Sequence, residues 1–107
     1  EEPWPEPIAL LSAVAALTTR IRLSTFVLIA TLRPTLLLAK QLATLDNISN
    51  GRVTMGLGVG WQEEEFAAAG MAFEGRFGDL EDMVTAMRAS IHCRCRCRVL
   101  TCRSCSG

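Results

Sequence analysis

The chain has 107 residues, half of them hydrophobic and 21% charged, with a formal net charge of zero. That suffices for one small domain with a buried core, and the charge balance excludes a protein held to nucleic acid by overall charge. The longest uncharged runs, such as Leu23–Leu32 and Pro7–Thr19, fall short of the ~20 residues that a membrane span needs, which excludes a single-pass helix.

The charges are unevenly placed. All eleven acidic residues and seven of the eleven basic ones lie in residues 1–92. The last fifteen residues carry Arg94, Arg96, Arg98 and Arg103, no acid, and all five cysteines: Cys93, Cys95, Cys97, Cys102 and Cys105. A cysteine-free body fits a reducing, cytoplasmic setting, and the split marks two segments, 1–91 and 92–107. The chain opens on Glu1 and not on methionine, so it reads as a fragment.

Residues 1–6, EEPWPE, form an irregular lead-in, because Pro3 and Pro5 lack backbone donors. Pro7–Thr19 is rich in Ala and Leu and starts on a proline suited to a first helical turn. It is apolar nearly all round, which predicts a helix covered on more than one side. Ile21–Ala30 switches to β-branched and aromatic residues and reads as a strand. Its near-continuous apolar run favours a parallel strand. Arg33-Pro34 breaks it. Thr35–Asp46 is helical, with Leu38, Leu42 and Leu45 on one face. Asn47–Gly51 is a turn cluster, and Arg52–Gly58 is a second strand. Gln62–Ala69 is a short helix ended by Gly70. Arg76–Ile91 is an amphipathic helix with Leu80, Met83, Val84 and Met87 on one side. Strands separated by helices of this length imply parallel βαβ units.

The stretch GRVTMGLGVGWQEEEF, residues 51–66, carries Gly56, Gly58 and Gly60 at every second position. A dinucleotide-binding G-x-G-x-x-G fails on register, since the third glycine would fall on Trp61. A Walker loop fails too, because no Gly-Lys-Ser/Thr follows. Alternating glycines leave one strand face without side chains, open to another backbone or to a flat ligand ring. The residues alone do not choose between tight packing and a planar cofactor. In parallel α/β folds ligands sit at the carboxyl ends of strands, which here are residues 26–32 and 58–65.

Five segments then coincide in order within residues 18–76. They are T-x-R-I-R-L before the first strand, L-A-K-Q-x-A-T-L-D on the helix, S-x-G-R-V at the turn, G-x-G-x-G-W with E-E-F after it, and G-x-x-F-x-x-R. Together they resemble the luciferase-like monooxygenase family, most closely its branch using the deazaflavin coenzyme F420, over about residues 7–90. The resemblance implies a fragment of a (β/α)8 TIM barrel, about two βα units with parallel strands and flanking helices, since such a barrel takes ~250 residues. It implies an oxidoreductase or monooxygenase acting on a small organic substrate with F420 or FMN, inactive as this fragment alone. It puts a non-prolyl cis peptide at Phe26–Val27 behind the flavin ring, Val59 and Gly60 against the ring edge, and Glu64 near the cofactor's polar part. An ordinary buried strand pair is the alternative for the first of these, and a solvated first helical turn for Glu63–Glu65. Ser24 departs from the family, which usually has glycine before the bulge.

The tail CRCRCRVLTCRSCSG belongs to neither pattern and is expected to be disordered or out of frame. Cys102-x-x-Cys105, with His92, Cys93, Cys95 and Cys97, leaves a small metal-binding module as one alternative and a non-functional translated remnant as another. No metal ligand is assigned. The expected partner is a small-molecule substrate, with neither nucleic acid nor membrane, and the unpaired strand edges invite a homo-oligomer.

Overall fold

The computed structural model describes residues 4–90 and 98–101. Helix α1 (Pro7–Leu17) leads into strand β1 (Leu23–Ile29) and a 3-10 turn at Ala30–Leu32. Helix α2 (Thr35–Ser49), strand β2 (Val53–Gly58), helix α3 (Glu63–Ala69), helix α4 (Arg76–Ser90) and strand β3 (Arg98–Thr101) follow. The strands form one parallel sheet in the order β1-β2-β3. This is the expected α/β arrangement, with α2 crossing between β1 and β2.

Local chemistry sets most boundaries. Pro7 occupies the first turn of α1, and the Glu6 carboxylate accepts from the Ala9 backbone N–H at 2.7 Å, the N-cap bond that satisfies one orphan donor. Helix α2 runs three residues past the expected Asp46, because Asn50 adopts the left-handed conformation and closes it: Gly51 N–H donates to the Asp46 carbonyl at 3.0 Å. Gly70 ends α3 the same way, at φ +70°, a region open to glycine at little steric cost.

One hydrophobic cluster joins the sheet to its helices. Val53, Met55, Leu57 and Val59 alternate along β2 and its exit toward Leu38, Leu42 and Leu45 of α2 and Leu80, Val84 and Met87 of α4. Each fully buried leucine contributes about 1.5–3 kcal/mol relative to exposure. Helix α1 departs from expectation: Ile8 and Ala15 are buried while Leu10 and Leu17 stay exposed. The described residues cover this all-round apolar helix from one side, where α2 and β1 meet it.

The stretch expected to lie outside both patterns also needs correction in part. Residues 98–101 pair with β2, Val99 opposite Met55 and Leu100 opposite Gly56. The short run Val99-Leu100-Thr101 has strand-favouring residues that the surrounding Cys-Arg alternation hides. His92 and the five cysteines lie outside the described residues, and with them the alternative metal module. Among the described residues no group of His, Cys, Asp and Glu is placed to hold a metal ion, and no helix is long and apolar enough to cross a membrane.

Candidate functional site

The carboxyl ends of β1 and β2 meet. Thr25 pairs with Met55 and Leu28 with Leu57, so Phe26 and Val27 together oppose the single residue Gly56. This is a bulge, and the Phe26–Val27 peptide is cis. A β-bulge commonly re-aims a side chain; here Phe26 stands 94% exposed while Val27 is half-buried. Beyond the bulge the buried Thr31 hydroxyl donates to the Val59 carbonyl at 2.7 Å and ties the two strand ends together.

The glycine face is filled by protein. A Cβ on Gly56 would lie 2.5 Å from the Thr25 carbonyl oxygen, and one on Gly58 would lie 2.7 Å from a Val27 methyl. At Gly60 it would meet Ile29 at 2.9 Å and the Phe66 ring at 3.0 Å, and φ there is +77°. Of the two openings that the alternation allowed, the close approach of another strand is what the structure shows. The glycines admit the β1 bulge and the Phe66 ring, whose atoms take up the space that side chains at 56, 58 and 60 would need.

The five residues implied by the resemblance divide accordingly. On the bulge Phe26 stands outward, while Val27 turns back and packs against Gly58. Val59 has its side chain in the hydrophobic core, 1% exposed, and presents backbone alone. Gly60 is a tight left-handed turn two residues past the end of β2. Glu64 is exposed on the first turn of α3 with Glu63 and Glu65. Trp61 also stands outward, 67% exposed, at this same end of the sheet.

Sequence reasoning gave no role to Arg76, which proves central to the loop after β2. Its Nε donates to the Gly60 carbonyl at 3.2 Å, and its guanidinium lies 3.9 Å from the Phe73 ring centroid and 5.0 Å from that of Phe77. Phe73 in turn meets the buried Phe66 edge to face at 5.3 Å. The final arginine of G-x-x-F-x-x-R was the available signal, but nothing local says which carbonyl it reaches.

A flavin-type cofactor fits this region in part. The bulge offers a wall for a planar ring. Among the described residues the arginines nearest the carboxyl ends are engaged and offer no ready grip for phosphate: Arg33 pairs with Glu6, and Arg76 with Gly60 and its aromatic seat. Arg52 is bound to backbone at the opposite end, before β2. A cleft of about 440 Å³ opens between the start of α2 and α4, beside Thr31, Arg33, Thr35, Asp79 and Met83, and none of the five residues lines it.

Comparison with known proteins agrees with the ordered segments. Residues 1–92 match the family model described as luciferase-like monooxygenase. The uncharacterized protein Rv0953c of Mycobacterium tuberculosis is 40% identical over 84 residues, 78% of this chain and 30% of that protein. Pyrimidine monooxygenase RutA of Rhizobium rhizogenes is 39% identical over 89 residues, 78% of this chain and 24% of the relative. The crystal structure of the monooxygenase RslO1 from Streptomyces bottropensis superposes with a TM-score of 0.72 at 37% identity, covering 78% of this chain and 26% of that one. The chain thus spans less than a third of the length of these relatives, and it belongs to the luciferase-like monooxygenase family.

Proposed function

We propose that this chain is the ring-backing portion of a flavin- or deazaflavin-dependent monooxygenase or oxidoreductase that acts on a small organic substrate. The observation that carries this reading is the Phe26–Val27 bulge. It projects at the carboxyl end of a parallel sheet, beside a loop that turns tightly at Gly60, in a chain of this family. Ligands of parallel α/β folds sit at that end. When bound, the cofactor supplies the redox chemistry. The residues here supply a wall, a spacing and a dry core beneath it. The ordered segments favour F420 over FMN, with Glu64 facing the polar part of the cofactor. A reducing, cytoplasmic setting and self-association through open strand edges belong to the same reading.

The reading assigns grip and enclosure to the rest of the barrel, as cofactor sites are normally enclosed by a largely preformed pocket. Exchanging the matched segment of a full-length relative for residues 7–90 of this chain tests it. The hybrid should bind F420 or FMN saturably, and Phe26→Ala in the hybrid should weaken that binding. A folded hybrid that binds neither cofactor would sink the proposal. The isolated chain, titrated with either cofactor and followed by ring fluorescence, should show no saturable binding in the low micromolar range.

A further inference from the structure

Gly60, Phe66, Phe73 and Arg76 form a closed circuit. Phe66 sits where a Gly60 side chain would be, with its ring carbons 3.0 and 3.2 Å from that position. Phe73 packs edge-on against Phe66 at an interplanar angle of 83°. The Arg76 guanidinium lies over Phe73 and returns to the Gly60 carbonyl, with a longer bond to the Phe73 carbonyl at 3.4 Å. Each member is set by its neighbour, and the circuit closes on the one residue between β2 and Trp61 whose backbone demands glycine. Arg76 is half-buried, and a flat guanidinium seated on a ring loses little further freedom when it donates.

We propose that Arg76 is a positioning residue for the loop that follows β2. It holds the Gly60 carbonyl from the far side of the loop and so fixes the direction in which Trp61 and the first turn of α3 leave the sheet. For its meaning in catalysis this rests on the reading of that loop as the ring-facing edge. The geometric claim stands on the circuit itself. A lysine at 76 would keep the charge but lose the flat stack and the fixed Nε direction.

The test uses the full chain with Trp4→Phe, a change at a 96% exposed position, which leaves Trp61 as the sole tryptophan. Arg76→Ala should lower the fluorescence anisotropy of Trp61. It should also speed exchange of the Glu65 amide, which donates to the Gln62 carbonyl at 3.2 Å, on the order of tenfold while the amides of Val53–Leu57 keep their protection. Phe73→Leu should do the same by removing the seat, and Arg76→Lys should fall between. A merely structural role would speed exchange across β2 as much as at Glu65. That result, or unchanged Glu65 exchange and anisotropy in the variants, would overturn the proposal. If Arg76→Ala does not fold, Arg76→Lys and Phe73→Leu decide between the same outcomes. No cofactor enters this experiment, so its failure is separate from a failure of the cofactor titrations.

Discussion

Thr25 and Gly56, one register step apart on β1 and β2, touch with no room for a side chain between them. The Thr25 carbonyl oxygen stands 2.5 Å from where a Gly56 Cβ would be, and the Thr25 hydroxyl donates to the Gly56 carbonyl at 2.9 Å. The obstacle at Gly56 is backbone, which cannot rotate away, whereas at Gly58 it is the tip of Val27. Gly56→Ala should therefore cost about 2–3 kcal/mol, and Gly58→Ala about 1 kcal/mol as Val27 changes rotamer. Gly78, on α4 with nothing within 4 Å, is the control; Gly78→Ala should stabilise by about 0.5–1 kcal/mol. Urea denaturation of the three variants gives the ranking, and a Gly56→Ala chain as stable as the parent would refute the clash.

Arg52 binds three segments at the amino end of the sheet. Its guanidinium makes five hydrogen bonds, to the carbonyls of Ala15, Thr18, Ile21 and Ser49 and to the Thr18 hydroxyl, all between 2.7 and 2.9 Å. The α1 and α2 carbonyls among them are the negative ends of helices, where a cation is favoured. Arg52→Ala should cost about 2–3 kcal/mol, and Arg52→Lys should recover less than half of that, since an ammonium cannot reproduce the fork. The denaturation midpoint should fall with an unchanged slope.

The Thr31 hydroxyl is the tie between the two strand ends. Thr31→Val keeps the shape and leaves the Val59 carbonyl without that donor, a loss of about 1–2 kcal/mol. Exchange should quicken around Val59 before it does so in α4, and uniform quickening would contradict a local tie.

Glu6 gives a pH dependence with a definite sign. Partial burial raises its pKa, but the Ala9 and Ile8 backbone donors and the Arg33 guanidinium outweigh that and hold it below the ordinary value of 4.5. The contribution is therefore complete above that value and is lost as pH falls through the lower folded value. Glu6→Gln should flatten this acid limb. Because the carboxylate is nearly half-exposed, the difference at neutral pH should stay below about 1 kcal/mol. Thermal melts of both chains from neutral to acidic pH give the comparison.

Elements held together by near neighbours were legible in the sequence. The buried faces of α2 and α4, the parallel strands and the Gly70 stop all follow from spacing within a few residues. The carbonyls around Arg52 come from positions up to 37 residues away, so S-x-G-R-V marked the arginine but not its work. The glycine alternation was visible, yet whether a ring or a strand filled it depended on the β1 bulge. The third strand escaped because its four residues sit inside a stretch whose composition resembles no strand.

The engagement of Arg33, Arg52 and Arg76 has a consequence for how such enzymes diversify. These three arginines serve the segment's own architecture and do not reach for the charged tail of a cofactor. FMN and F420 share a tricyclic ring and differ in what hangs from it. On the reading proposed above, the wall at Phe26 meets only that shared ring, so discrimination between the two tails falls on Glu64 and on the larger part of the relatives that this chain does not span.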